Sequence, residues 1–108
     1  MIVIVSKYLI PKGFYGFAVY PFVLIKYRIS KKDLVLLNHE KIHLRQQLEL
    51  LILPFFIWYL LEFFVRYFQL RNWKLAYKNI SFERESYQNE TNTAYLEKRV
   101  FFNFINYL

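Results

Sequence analysis

The sequence predicts an α+β domain that is mainly helical, with a small N-terminal antiparallel β element followed by three to four helices. Three observations predict it. β-Branched and aromatic residues crowd residues 2–28 around turn signals. Leucines spaced by threes and fours take over from Lys32, and the chain then runs to residue 90 with polar or proline breaks only at Pro54 and Arg71-Asn72. With 108 residues there is chain for one domain. Its parts are the β element over 2–28, helices over 30–90 and a C-terminal helix or tail over 91–108.

Ile2 to Val5 form a short strand, and Pro11-Lys12-Gly13 is a turn signal. Gly16 to Arg28 reads as β structure that Pro21 reduces to an edge, a bulge or two short strands, because proline cannot donate to a ladder. Ser30 is the expected helix N-cap, with Asp33 three residues on as its reciprocal partner. Leu34, Leu37, Leu44, Leu48 and Leu51 then define the apolar face of a helix.

Residues 50–70 carry only two charges, Glu62 and Arg66, spaced to pair along one helix face. As a helix this stretch spans roughly 31 Å, about a bilayer core. Pro54 must kink or end it. Asn72 to Glu90 reads as a further helix. Thr91 or Thr93 starts a last one, which ends in Phe101, Phe102, Phe104 and Tyr107.

The composition narrows the partners. The chain is 56% apolar and 22% aromatic, and ring area that a small core cannot hold must face something else. The formal charge of +7 favours anionic surfaces. Lys and Arg are scattered, with Lys31-Lys32 and Lys98-Arg99 the only adjacent pairs, so no basic stripe points to nucleic acid. There is no cysteine, and any metal must be held by His and carboxylate. Ile2 to Val5 is too short for a signal-peptide core. With no signal peptide, the cytoplasm or the cytoplasmic face of the membrane is the expected location.

The chemistry lies in His39-Glu40-Lys41-Ile42-His43, an H-E-x-x-H pattern that uses both histidines of the chain. Residues four apart on a helix stack on one face, so both imidazoles can reach one Zn²⁺. Glu40 projects about 100° further round and can take a proton from water at the metal. A catalytic zinc wants three protein ligands, and with no third histidine the last must be a carboxylate. The downstream candidates are Glu49, Glu62, Glu83, Glu85, Glu90 and Glu97. Glu62 is more simply Arg66's partner, and Glu49 lies on the motif's own helix and cannot curl back. Phe82 to Tyr87 is the best remaining segment.

His39-Glu40-x-x-His43 with Glu83-x-x-Ser86-Tyr87 resembles the gluzincin metallopeptidases, in which a glutamate from a later helix completes the zinc site. The resemblance implies Glu83 as ligand, Ser86 in the small-residue place of E-x-x-A-D, and Tyr87 where the family has an aspartate supporting a metal-bound histidine. The match is closer to small bacterial H-E-x-x-H-x-x-Q proteins with a downstream Y-x-N-x-x-F-E-x-E-A-Y segment, here Tyr77 to Tyr87 with Ser86 for alanine. The apolar stretch after the motif is also similar to membrane metallopeptidases of the β-lactam-receptor type. These resemblances imply a zincin-like helical bundle and a zinc peptidase acting on a peptide or protein. Gln46 lies on the histidine face and could bond a ligand or substrate, or be an ordinary polar position. Asn79 supports the Glu83 helix or forms a turn. Glu85, about 200° round from Glu83, is expected to face away toward solvent.

Two rival readings remain: a non-catalytic, zinc-binding, membrane-associated interaction module, and a membrane-surface protein with no metal. For residues 50–70 the expectation is peripheral or re-entrant membrane contact, against the alternative of a buried core helix. A straight span would separate His39 from Glu83. One continuous helix over 33–70 would also carry the chain too far, so a reversal is expected near Pro54, giving helices over 33–53, 55–70 and 73–90.

Overall fold

The computed structural model describes residues 1–27 and 32–108, and the expected Ser30 cap lies outside them. The architecture is α+β and mainly helical, with a small N-terminal sheet. Three strands, β1 (Ile2–Val5), β2 (Gly16–Val19) and β3 (Phe22–Ile25), lie in the order β1-β3-β2. Pro21 divides the second β stretch into two strands, as one of its expected outcomes had it. β2 and β3 pair antiparallel, with Phe17 opposite Leu24. β1 departs from the expected antiparallel element and joins β3 in parallel, Val3 opposite Val23. The long excursion from Ser6 to Tyr15 lets the chain return to the far side of β3 before turning back.

Helix α1 (Leu34–Leu50) starts at Asp33, whose carboxylate accepts from the Leu36 N–H at 3.1 Å. Its buried face is not the expected leucine row. Leu34, Leu48 and Leu51 are exposed, whereas Asn38, His39, Glu40, His43, Gln46 and Gln47 are buried with Ile42 and Leu44. Polar side chains can occupy that face because almost every one has a partner there. Gln47, for example, accepts from the Tyr20 N–H at 2.7 Å and donates to the Ala18 carbonyl at 2.8 Å, tying α1 to the sheet.

The helix breaks at Leu51, with φ 62° and ψ 150°, three residues before Pro54. Helix α2 (Ile52–Leu70) follows, and Pro54 sits in its first turn, where the missing N–H costs no helical bond. The expected break near Pro54 is therefore present, slightly earlier in the chain. The expected Glu62–Arg66 pair is not. Glu62 instead accepts from the Ser81 N–H at 2.6 Å and from the Ser81 hydroxyl, while Arg66 donates to Gln69.

That capping explains another difference. Residues 73–90 form two helices, α3 (Trp73–Lys78) and α4 (Ser81–Asn89). Asn72 caps the first, accepting from the Lys74 and Leu75 N–H groups. Glu62 puts its carboxylate at the positive end of the second. The tail holds a short helix, α5 (Tyr95–Lys98), and a 3-10 turn over Asn103–Tyr107. Two small cores result. Ala18, Val23 and Ile25 pack on Leu44, while Phe55, Ile80, Phe82 and Phe104 pack between α2, α4 and the tail. Helix α1 touches β2, β3, α2 and α4, which sets its polar face at the centre of the molecule.

Candidate metal centre

His39 and His43 stack one turn apart on α1, and α4 lies across them. Asn38 donates its amide to the carbonyls of Asn89, Glu90 and Asn92, and the Ser86 hydroxyl donates to the His39 carbonyl at 2.6 Å. These bonds hold the two helices in register. Glu83 Oε1 then lies 3.1 Å from His39 Nε2 and 3.0 Å from His43 Nε2, and the two Nε2 atoms are 3.2 Å apart. All three residues are buried.

The outer nitrogens of the imidazoles decide what those three atoms are. His39 Nδ1 is 2.6 Å from Glu90 Oε2, and a carboxylate accepts, so Nδ1 donates. His43 Nδ1 is 2.8 Å from Gln46 Oε1. The Gln46 amide nitrogen faces two acceptors, the Phe82 carbonyl and Glu85 Oε1, so its oxygen is the atom turned to His43. In their neutral form both histidines thus carry the proton on Nδ1 and aim the Nε2 lone pair inward. With both rings neutral, two lone pairs and a carboxylate oxygen converge on one point. Such a cluster calls for a cation.

The titration behaviour agrees. Burial opposes charge on His43, yet Glu83, with help from Glu40 and Gln46, pushes it up to about 9. Burial would raise Glu83, but His43 and His39 hold it well below the usual carboxylate range. A proton answers the demand in part, and a divalent ion answers it fully. His39, His43 and Glu83 can hold a metal ion.

No family model, curated protein or solved structure matches this chain. The site must be read from its own residues.

Glu40, one helix position past His39, is buried but borders two clefts. Burial raises its carboxyl above the ordinary range; His43 and His39 pull it down, and Glu83 and Glu90 add to the rise. One cleft, of about 390 Å³, is walled by Phe14, Phe17, Phe55, Phe56, Tyr59, Phe63 and Trp73, with His43 and Glu83 at its base. The other, of about 310 Å³, takes in Lys74, Lys78, Tyr87 and Glu90. Gly16 and Tyr77 border both. A Cβ on Gly16 would stand 3.2 Å from Glu40 Oε1, so any side chain there would press on the carboxylate.

Of the expected supporting residues, Gln46 bonds His43 directly. Tyr87 sets its ring edge-on to His39, centroids 4.5 Å apart, but the hydrogen bond expected of it is made by Glu90. Asn79 is away from the site, donating to the Leu75 carbonyl in the turn between α3 and α4. Glu85 does not face solvent. It is fully buried and takes two bonds from Arg99 and one each from Tyr95 and Gln46. Tyr59, which the sequence reading passed over, donates to Glu83 Oε2 at 2.7 Å. Glu90 carried a usable signal, since seven residues after Glu83 is two turns along the same helix face. Tyr59 and Arg99 carried none, because their roles depend on how α2 and the tail fold back.

Proposed function

We propose that the chain is a zinc metallopeptidase that hydrolyses peptide bonds, with Glu40 as general base. The convergence of His39 Nε2, His43 Nε2 and Glu83 Oε1 beside a carboxylate that borders open clefts carries this reading. The donor set fits zinc. Tetrahedral ligands at roughly 2.0–2.1 Å stand about 3.3 Å apart, close to the 3.0 to 3.2 Å found among these three. Three protein ligands leave a fourth position free, as in catalytic sites. Both histidines have the outer hydrogen bonds that orient zinc ligands and raise their basicity.

When bound, zinc would polarise the scissile carbonyl and make a ligated water acidic. Glu40 takes a proton from the attacking water as the C–O bond forms, and returns it to the amine nitrogen as the C–N bond breaks. Tyr77 borders both clefts with Glu40 and is the candidate neutral donor to the developing oxyanion. The aromatic cleft favours a large apolar side chain next to the scissile bond.

The test is a peptide-library digest by wild type and Glu40→Gln, with metal analysis of both. Zinc at one per chain in both, with cleavage by wild type reduced about 10²-fold or more in the variant, is the expected result. Equal cleavage by the two proteins would reject Glu40 as base. Zinc without cleavage in the wild type would leave a non-catalytic metal module.

A further inference from the structure

Helix α2 is built inside out. Leu53, Ile57, Leu60, Leu61, Phe64 and Phe68 fall within about 100° of its circumference, and their exposures run from 49% at Phe64 to 70% at Leu53 and Phe68. Its charged and polar residues lie on the far side, where Glu62 turns in to cap α4 and Tyr59 bonds Glu83. Only Phe55 of the whole helix is buried, which removes the core-helix alternative. The stripe runs uncharged for four turns and then meets Arg71, Trp73 and Lys74, all exposed.

We propose that α2 lies in the plane of an anionic bilayer, its apolar stripe in the acyl boundary and Arg71 and Lys74 among the headgroups. Amphipathic interfacial helices have this division of faces, and tryptophan with basic residues favours the headgroup level. A straight span fits poorly, because the middle of α2 carries Tyr59 and Glu62 and would draw the shell of the metal centre into hydrocarbon. Charge selects lipid over a second copy of the chain. At +7, two copies repel each other, whereas an anionic leaflet attracts each of them. This proposal does not depend on peptidase activity.

Flotation of the full chain with vesicles of phosphatidylcholine, with and without phosphatidylglycerol, tests it. Binding should be stronger to the anionic vesicles and weaken with salt. Leu61→Glu with Phe68→Glu should lower vesicle affinity by about tenfold or more. Arg71→Glu or Lys74→Glu should each cost about fivefold or more on anionic vesicles only. Far-UV circular dichroism serves as the check that each variant is folded. Undiminished binding by the folded double variant would overturn the proposal. So would absence of vesicle binding together with concentration-dependent dimerisation of the wild type, which would assign the stripe to a second copy.

Discussion

Replacing Arg99 with methionine should come close to unfolding the domain at neutral pH. The guanidinium is fully buried between two carboxylates, with Nε and one terminal nitrogen on Glu85 and the other on Glu49. One oxygen of Glu49 is already the only buried side-chain polar atom without a hydrogen-bond partner among the described residues. Methionine fills much of the space but leaves two buried acids facing each other. Breaking a buried ion pair this way costs about 3–5 kcal/mol, out of a total stability of about 5–15 kcal/mol for a domain of this size. Urea denaturation at pH 7 would show it as a midpoint lowered by about a fifth or more. The pH dependence supplies a second reading. Burial would raise Glu85, but bonds from Arg99, Tyr95 and Gln46 hold it below its ordinary value. In wild type that depression stabilises the fold above the unfolded pKa of about 4.3, and the gain is lost as pH falls through the lower folded value. Without Arg99, burial dominates and the folded pKa lies above the unfolded one, so acidification stabilises. The gap between variant and wild type should therefore narrow from pH 7 to pH 5. A variant within about 1 kcal/mol of wild type at pH 7, or a gap that widens with acid, would refute the reasoning.

Two further outcomes follow from the site. Glu90→Ala should weaken zinc binding by about 10- to 100-fold, measured by chelator competition, because His39 loses the acceptor that fixes its tautomer; unchanged affinity would return that role to Tyr87. Gly16→Val should lower peptide hydrolysis while keeping zinc at one per chain, since the new side chain meets Glu40 rather than the ligands, and a loss of zinc in that variant would contradict the geometry.

What could be read before the structure was what depends on local geometry. Two histidines four apart must share a helix face, Pro21 separates two strands, and Pro54 lies in the first turn after a helix break. Glu83 was reached through its resemblance to a known segment, since spacing alone left several glutamates open. The leucine face of α1 was misread for a physical reason. Apolar periodicity marks the buried side of a helix only where the core is apolar, and here a hydrogen-bonded polar cluster around His39, His43 and Glu83 takes its place. Helix 73–90 was expected whole because nothing in its own sequence announces that Glu62, on another helix, will cap a new start at Ser81. Glu85 was turned the wrong way because its partner Arg99 comes from a tail whose course only tertiary packing sets.

The Gln47 amide has a consequence for the rim of the sheet. Tyr15 offers its carbonyl to Lys26, one residue past β3, so by alternation the main-chain groups of Gly16, Ala18 and Tyr20 point away from β3. Gln47 takes the Ala18 carbonyl and the Tyr20 N–H, acting as a one-residue imitation of a neighbouring strand. An extended chain approaching that rim would have to evict a buried glutamine to run alongside β2. Gln47 does not reach Gly16. The β2 rim is thereby occupied over Ala18 and Tyr20, while Gly16 lies beside the Glu40 carboxylate.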